Sequence, residues 1–242
     1  RNSLDNKGMR VDASVHYGFR FVNAMWTGEQ MIVGDGDGQS VAGLAASLGI
    51  IAHEMAHGIS QHLIKGGLGV VLMPGAPPTL KGEAGALNES FSDVFAALVE
   101  RRVEGENAGT WMIGEDAYTP GTPGDALRYL NDPRRAANFG FTANDQPDHY
   151  AERYTGTQDN GGVHINSGIP NKAFALFAMA VGGNSWKEPA HVWWETNCGA
   201  NRVGSTADIH EWAKKTVENC TKMCPQHVAK LKKAWSDVGV TA

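Results

Sequence analysis

Residues 48–57 read LGIIAHEMAH and carry the strongest structural signal in the chain. Apolar residues recur at helical spacing on both sides of it, which predicts a helix from about Val41 to about Ile64. Four residues advance a helix by about 6 Å and return to the same face, so His53 and His57 can meet one ion, and zinc accepts such a pair. Glu54 lies about 100° around the helix, where a general base can reach a water molecule without ligating the ion.

The same pattern also arises by chance, either on a solvated helix face or as two hydrogen-bonded core histidines. The flanking residues 48–52 are apolar or small, so the helix has little hydrophilic surface around the motif. Buried ionisable groups need partners or a metal. The sequence therefore favours a metal site over the other two interpretations.

A catalytic zinc site needs a third protein ligand and an open fourth position. The best source is a second predicted helix, from about Ala84 to Arg102, in which Glu89 and Asp93 share one face. With Glu89 as the ligand, Asp93 can accept a hydrogen bond from the distal ring nitrogen of a zinc-binding histidine. An exposed acidic face is the alternative, but the apolar neighbours of these residues leave it little room.

The remaining pattern predicts an α+β chain. Residues 14–17 and 30–33 are short β-prone runs, which predict an antiparallel segment, and residues 65–78 read as a loop or hairpin. Residues 105–162 are irregular, as is common for segments that carry sites. Later helices are predicted at Ala173–Val181, Pro189–Thr196, Ser205–Asn219 with a Ser/Thr N-cap, and Pro225–Asp237.

Composition narrows the class of protein. The chain has 242 residues, 42% hydrophobic and 19% charged, which predicts one large or two-lobed globular domain. A net charge of −5 gives no basic surface for nucleic acid or anionic lipid, and no apolar run approaches the roughly 18 residues of a membrane span. Cys198, Cys220 and Cys224 permit at most one internal disulfide, in any of three pairings, which is compatible with a secreted protein.

Taken together, the sequence resembles the thermolysin family of zinc endopeptidases. The blocks that carry the resemblance follow the family order, and the chain end at 234–240 resembles the family terminus more loosely. The blocks are residues 14–18, 23–26, 34–38, 53–57, 85–89 with 92–93, 114–116 with 118–121, 124–128, 148–150 and 159–168.

The resemblance implies roles for particular residues. His53, His57 and Glu89 would bind zinc, with Glu54 polarising the attacking water and with Asn88 and Asp93 as partners of the two histidines. His164, oriented by Asp159, resembles the histidine that donates a hydrogen bond to the tetrahedral intermediate. A single histidine in a glycine-rich loop is more often a surface residue, and the whole block 159–164 argues against that alternative.

Substrate-binding residues follow from the same resemblance. Arg128 would hold a substrate carbonyl, and Asn23 and Ala24 would belong to an edge segment that pairs with an extended peptide. The alternative for Arg128 is a surface ion pair. The alternative for Asn23 is a turn residue without a role in binding. The apolar residues expected to line the pocket are Ile50, Ile113 and Leu127.

The implied fold is a thermolysin-like zincin. Residues 1–42 would be a remnant of a β-rich N-terminal lobe with the substrate-pairing edge, and residues 43–242 a mainly helical catalytic lobe with the zinc site. Only 52 residues precede His53, so a propeptide or a missing segment of the N-terminal lobe is an expected partner.

The chain also departs from the family pattern. The segment between His57 and Glu89 is about a dozen residues longer, and Leu80 stands where a tyrosine donor is expected. A paired calcium site is eroded, because carboxylates are replaced at Gly49, Thr110 and Met112 while Glu100 and Glu115 remain. A separate single-calcium loop is expected at Tyr118, Thr119, Thr122 and Asp125.

The leading hypothesis is a secreted, zinc- and calcium-binding endopeptidase. It would cut peptide or protein substrates N-terminal to large apolar residues by means of a zinc-activated water. A catalytically weakened or inactive peptide-binding module is the main alternative, suggested by Leu80 and the short N-terminal part. A structural zinc protein would need a fourth protein ligand. An aminopeptidase would carry its third ligand nearer to His57.

Overall fold

The computed structural model describes residues 2–73, 78–106, 111–136 and 146–242. The strands are β1 (Ala13–Ser14), β2 (Ala24–Trp26), β3 (Met31–Val33), β4 (Val70–Val71), β5 (Thr79–Leu80), β6 (Met112–Ile113) and β7 (Arg128–Tyr129). The helices are α1 (Leu48–Leu63), α2 (Gly82–Glu104), α3 (Asp159–Asn166), α4 (Gly168–Val181), α5 (Glu188–Cys198), α6 (Ile209–Met223) and α7 (Val228–Asp237). The predicted α+β organisation, with a β-rich start and a mainly helical body, is confirmed.

The N-terminal sheet has the order β1-β3-β2. The antiparallel pairing predicted for the runs 14–17 and 30–33 is wrong, because β1 runs parallel to β3. β3 is antiparallel to β2 instead, with Met25 opposite Ile32, so the sheet is mixed. The physical reason is the connection: nine residues separate β1 from β2, whereas the four-residue turn 27–30 joins β2 directly to its antiparallel neighbour.

Helix α1 begins later than the apolar period predicts. Residues 44–46 form a short 3-10 turn, and the side chain of Ser47 then caps the helix by accepting a hydrogen bond from the backbone N–H of Ile50. On one side of α1, Ile50 packs with the β-sheet residues Val33 and Ala24 in a small core. The helix that carries the two histidines therefore lies between the sheet and the helical body.

The larger core lies among the helices. Trp193 on α5 and Trp235 on α7 stack with ring centroids 5.9 Å apart and an interplanar angle of 4°. Phe174 on α4 packs edge-on against Trp193 at 4.9 Å. These fully buried aromatic side chains anchor the helices behind α2, which is the helix that faces α1.

The segment after α1, expected to be a loop or a hairpin, forms a hairpin where its two ends pair. Val70 of β4 pairs with Leu80 of β5, and the chain then enters α2. Gly85 allows this close approach, because a Cβ there would lie 2.6 Å from Val163 Cγ1 and 3.2 Å from Leu80 Cβ. The hairpin and α3 thus both lie against the N-terminal part of α2.

The C-terminal helices match the prediction in number but not at every boundary. The predicted start of the sixth helix at Ser205 with a Ser/Thr cap is wrong, because Asp208 caps α6 in a capping box with Glu211. Pro225 opens a 3-10 turn, residues 225–227, that leads into α7. No described helix combines the length and the apolar character needed to cross a lipid bilayer.

Cys220 and Cys224 are free thiols in this structure. The sulfur atoms of Cys220 and Cys224, both buried at the end of α6, lie 3.4 Å apart. Burial, together with the neighbouring Cys224, raises the pKa of Cys220 to about 12.

Candidate active site

Helices α1 and α2 bring His53, His57 and Glu89 together. One ligand atom from each residue lies within 4.8 Å of the other two. The two Nε2 atoms are 3.0 Å apart, and Glu89 Oε2 lies 3.3 Å from His53 Nε2. Among the residues that the structure describes, this is the one group of three His, Cys, Asp or Glu side chains with such convergence.

The other ring nitrogen of each histidine has a partner on α2. His53 Nδ1 lies 2.9 Å from Asp93 Oδ1, and His57 Nδ1 lies 2.9 Å from Asn88 Oδ1. The Ser92 hydroxyl lies 3.2 Å from His57 Nδ1. These contacts fix the ring orientations and direct both Nε2 atoms toward Glu89.

Asp93 is fully buried, and its charge is balanced from two further elements. Arg128 on β7 donates from Nε, 2.9 Å from Asp93 Oδ2, and from a terminal nitrogen, 2.7 Å from Oδ1. Asn171 on α4 donates from Nδ2 to Oδ2 at 2.9 Å. Burial alone would raise the pKa of Asp93, but Arg128 and His53 outweigh it and lower the pKa. Asp93 is therefore a charged acceptor in the folded protein.

The cluster has a negative field suited to a cation. Burial opposes the charged form of Glu89, yet His164, His57 and His53 hold the pKa of this carboxyl well below its ordinary value. Burial also disfavours protonation of His53, but Asp93 and Glu89 outweigh it and raise the pKa of the imidazole to about 10. A positive charge on His53 is thus stabilised by the surrounding carboxylates.

Glu54 lies in the same cleft with an independent anchor. Its side chain is buried, and Oε2 accepts a hydrogen bond from the backbone N–H of Trp26 at 2.8 Å. Trp26 is fixed in turn, because its indole Nε1 donates to Gln61 Oε1 at 2.7 Å. The carboxylate is therefore held by β2 and not by the group of three ligands.

His164 reaches the cluster from α3. Asp159 Oδ1 lies 2.6 Å from His164 Nδ1, and its Oδ2 accepts from the His164 backbone N–H at 2.7 Å. Asn160, Gly161 and Gly162 all have positive φ angles, and this left-handed path folds the Asp159 side chain back onto the histidine. The His164 Nε2 atom then lies 3.4 Å from Glu89 Oε1.

The predicted substrate residues line one cleft of about 330 Å³ together with the predicted catalytic residues. Ile50 and Leu127 meet over Gly114, and Ile113 lies in the adjoining strand β6. The residues that line the cleft from the predicted set are Asn23, Ala24, Ile50, His53, Glu54, His57, Asn88, Glu89, Ile113, Leu127, Arg128 and His164.

Strand β2 offers a free edge beside this cleft, because β3 pairs only its other side. The Asn23 carbonyl accepts from the Gly34 N–H, and the Thr27 N–H donates to the Gln30 carbonyl, so these residues face β3. Alternation along a strand turns the backbone groups of Ala24 and Trp26 the other way. Asn23 thus lines the cleft with its side chain, whose Oδ1 accepts from the Ala24 N–H at 3.0 Å.

Leu80 lies in β5 and lines the cleft opposite β2. It has no polar atom to donate, and no tyrosine is present among the described residues that line the cleft. His164 and Arg128, which line the same cleft, carry N–H donors.

The expected calcium residues lie outside the cleft. The Thr119 hydroxyl donates to Asp125 Oδ2, and Thr122 donates its N–H to the Thr119 carbonyl at 3.0 Å. Asp125 Oδ1 is buried without a hydrogen-bond partner among the described residues. Tyr118 pairs with Val41 and so attaches this loop to the sheet side of the molecule.

The eroded paired site is more acidic than the sequence comparison indicated. Glu100 fills the space beside Gly49, where a Cβ would lie 2.2 Å from Glu100 Oε1. Burial, then the charges of Asp116 and Glu104, and to a smaller extent Glu115, raise the pKa of Glu100 to about 7. Met112 lies in β6, and Thr110 lies outside the described residues.

Sequence reasoning missed several supporting groups. The Trp26 backbone N–H could have been found from strand alternation, once Asn23 and Ala24 were assigned to an edge strand. Gln61, which anchors Trp26, lies two turns after Glu54 on the same helix. That spacing places the two side chains on one face, so the sequence could have indicated it. Asn171 gave no signal, because 78 residues separate it from Asp93 and only the tertiary fold joins them.

Comparison with known proteins agrees with this geometry. Residues 1–61 match the family model of the thermolysin metallopeptidase catalytic domain, and residues 79–240 match that of its alpha-helical domain.

The relatives share the matched regions. An extracellular metalloprotease of Pectobacterium carotovorum subsp. carotovorum is 37% identical over 99% of this chain and 67% of its own length. A bacillolysin of Brevibacillus brevis is 44% identical over 77% of this chain, which spans 30% of that protein. The solved precursor of protealysin, a metalloproteinase from Serratia proteamaculans, superposes with a TM-score of 0.84 at 36% identity over 100% of this chain and 72% of its own. The chain therefore belongs to the thermolysin family of metallopeptidases.

Proposed function

We propose that His53, His57 and Glu89 bind a catalytic zinc ion. Two imidazole nitrogens and one carboxylate oxygen form a donor set that zinc prefers, and three protein ligands leave a fourth position open. Support comes from the Nδ1 contacts to Asp93 and Asn88, which leave Nε2 of each histidine for the metal. When bound, zinc would supply a Lewis acid that lowers the pKa of water and polarises a carbonyl.

Glu54 is the general base of the proposed reaction. Its carboxylate takes a proton from the attacking water as the oxygen bonds to the peptide carbonyl carbon, and it later transfers a proton to the leaving amine. The Trp26 N–H holds Oε2, and the other oxygen, Oε1, is directed by that anchor for proton transfer. Because Glu54 is anchored by β2, its loss should leave the metal site intact.

His164 stabilises the oxygen of the tetrahedral intermediate. Asp159 holds Nδ1, which leaves the Nε2–H as the donor toward the cleft. Glu89, acting with Asp159 against burial, raises the pKa of His164, so the donor form is favoured. Arg128 faces the same space and binds a substrate carbonyl on the leaving side, while its ion pair with Asp93 fixes its position.

The substrate is an extended peptide that pairs with β2, so residues 1–42 supply the edge and residues 43–242 supply the catalytic groups. The backbone carbonyls of Ala24 and Trp26 are oriented for this pairing, while their N–H groups donate to Asn23 Oδ1 and Glu54 Oε2. Ile50, Ile113 and Leu127 form an apolar pocket for the side chain that follows the scissile bond. The proposed activity is therefore endopeptidase cleavage N-terminal to large apolar residues.

The protein is further proposed to be secreted, to bind calcium and to interact with a propeptide or an N-terminal lobe segment. The relative from Pectobacterium is named extracellular, and the structural relative from Serratia is a precursor. The buried Oδ1 of Asp125 supports calcium in the loop with Tyr118, Thr119 and Thr122, because a hard cation takes such oxygens.

The convergence of His53, His57 and Glu89 beside Glu54 is the observation that carries the proposal. The test is digestion of an unstructured protein, with products identified by mass spectrometry, before and after chelation and after zinc is restored. Zinc-dependent cleavage N-terminal to Leu, Ile or Phe is expected. A protein that binds zinc and peptides but cuts none would instead be the inactive peptide-binding module, which Leu80 in the cleft favours.

A further inference from the structure

The end of helix α6 brings two cysteines together. The backbone N–H of Cys224 donates to the Cys220 carbonyl at 2.8 Å, which is the hydrogen bond of one helical turn. Four helical residues place the two Cα atoms about 6 Å apart. Native disulfides span roughly 4.4–6.8 Å between Cα atoms, so the backbone holds this pair at a distance that a disulfide can bridge.

The side chain of Cys224 is not held in the helical direction. In a regular helix, Cβ atoms four residues apart lie about 5–6 Å apart, which is farther than the roughly 3.8 Å of a disulfide. Cys224 follows the last helical residue and has φ −149° and ψ 64°, which are not helical values. In this conformation its sulfur lies 3.4 Å from the sulfur of Cys220.

The two sulfur atoms are shielded from water and contact each other. Cys220 is 0% exposed and Cys224 is 1% exposed, and both belong to the larger core among the helices. The Cys220 sulfur also lies 3.5 Å from the Cys224 carbonyl. Burial raises the pKa of both thiols, and the negative charge of Glu188 acts in the same direction. Inside the folded protein the thiols are therefore neutral and react slowly.

The pair lies at the junction between α6 and α7. Residues 225–227 form the 3-10 turn that joins the two helices, and the His227 N–H donates to the Cys224 carbonyl at 2.9 Å. Farther along α7, the Trp235 indole N–H donates to the Thr216 hydroxyl on α6 at 2.8 Å. A covalent bond between the sulfurs would fix the junction next to a contact that already joins the two helices.

We propose that Cys220 and Cys224 form an internal disulfide while the chain folds. This selects one of the three pairings that the sequence leaves open. The bond needs an oxidising compartment, which the proposed secretion supplies, and it does not depend on peptidase activity.

The oxidant is a low-molecular-weight disulfide, and the reaction is two thiol–disulfide exchanges. One cysteine thiolate attacks a sulfur of the oxidant, which gives a mixed disulfide and releases one small thiol. The second cysteine thiolate attacks the protein sulfur of the mixed disulfide, so the protein S–S bond forms and a second small thiol leaves. The two cysteine protons end on the released thiols, and the oxidant takes up two electrons.

Peptide mapping identifies the bond directly. The full chain is refolded with oxidised and reduced glutathione, denatured with a metal chelator and an alkylating reagent, and digested with trypsin. Cleavage after Lys222 puts Cys220 in residues 216–222 and Cys224 in residues 223–230. Mass spectrometry should find these two peptides as one linked species, two hydrogens lighter than their sum, that separates on reduction. The chelator stops zinc-dependent cleavage, so the result is independent of the proposed function.

Two variants check the assignment. Cys198→Ala is the matched control, because it removes the third cysteine and should leave the linked species unchanged. Cys220→Ala should abolish the linked species.

The timing of the bond is tested on wild-type protein that is first folded in its reduced form. Oxidised glutathione added to this protein should form the link at least about tenfold more slowly than during refolding, because buried neutral thiols attack slowly. Equal rates would overturn the claim that the bond forms before burial.

The mapping result can overturn the pairing in two ways. Alkylation of both residues 216–222 and residues 223–230 after oxidative refolding would show that the two cysteines stay reduced. A link from either peptide to residues 188–202, which contain Cys198, would show a different pairing.

Discussion

Helix α2 carries one buried and one half-buried acidic site with opposite electrostatics. In its middle, Glu89 lies beside three histidines, and its pKa is held well below the ordinary value. About three turns later, Glu100 lies beside Glu104 and Asp116, and its pKa is raised to about 7. Burial disfavours the charged form in both places, so the neighbours decide the sign of the shift.

The difference separates a preorganised site from a site that still needs a positive charge. The first site has two histidines whose rings are oriented by Asp93 and Asn88. At the second site, protonation or a cation must relieve repulsion among carboxylates.

Glu89→Ala should have the largest effect, with loss of bound zinc and of all zinc-dependent activity. Two histidines alone hold zinc too weakly against buffer, because one of three ligands is gone. Metal content after gel filtration, measured by mass spectrometry, checks this. Glu104→Ala on the same helix is the control and should keep stoichiometric zinc; stoichiometric zinc in Glu89→Ala would point to a different ligand.

His164→Ala should lower kcat by about 10²–10³-fold or more with little change in zinc content. The reason is that Leu80 offers no donor, so His164 carries a large share of oxyanion stabilisation. Steady-state kinetics on a peptide substrate measures the effect, with the exposed His16→Ala as the control. A loss below about tenfold would show that another group supplies the hydrogen bond.

Asp125→Ala should remove most of the thermal stabilisation that calcium gives, while zinc stays bound. A loop site with the Asp125 carboxylate and Thr119 hydroxyl would stabilise the fold by about 3–4 kcal/mol at 100–1,000 times Kd. Melting curves with and without calcium compare Asp125→Ala with the exposed Glu29→Ala. We expect at most one or two calcium ions, with this loop as the stronger site.

Equal stabilisation by calcium in wild type and Asp125→Ala would exclude the loop. The acidic region around Glu100 and Glu115 would then be the calcium site. Both sites compared on α2 would in that case bind a metal ion.

Glu100→Gln should have the smallest effect and a distinctive pH dependence. The folded pKa of Glu100 is raised to about 7, above the ordinary value of 4.5, so the folded protein binds more protons than the unfolded chain between these values. The free energy of unfolding contributed by Glu100 therefore falls as pH rises through this window. The Glu100→Gln substitution should leave the free energy of unfolding unchanged at pH 4. At pH 8 it should raise that free energy by about 1–2 kcal/mol after solvent screening.

Chemical denaturation in calcium-free buffer at both pH values measures this difference. A Glu100→Gln variant with the same pH dependence as the wild type would show that the carboxylates around Glu100 do not repel one another as described. Added calcium should reduce the difference only if it binds at this end of α2.

The sequence predicted the elements in which local pattern and tertiary packing agree. Helices α1 and α2 have strong apolar periods, and the spacing of His53 and His57 follows from helix geometry alone. The start of α6 was misplaced, because Ser205 and Asp208 are both good caps and only the pairing with Glu211 selects between them. Where two local capping signals are equally strong, the tertiary structure determines which residue caps the helix.

The parts that the sequence did not predict depend on long-range contacts. The parallel pairing of β1 with β3 joins residues about eighteen positions apart, with no turn signal to indicate its direction. Asp93 on α2 contacts both His53 on α1 and Arg128 on β7, so this cluster joins three separate elements. The Glu104 and Asp116 contributions to Glu100 are likewise a property of the folded molecule.

The most direct test of a metal site with a separate general base is Glu54→Gln, assayed for kcat and zinc content on the same sample. Glu54 is held by the Trp26 N–H and is not one of the three converging ligands. The zinc content should stay at one ion per chain while kcat falls by about 10²–10⁴-fold. Loss of zinc together with activity, or retention of substantial activity with zinc bound, would contradict the separation of the two roles.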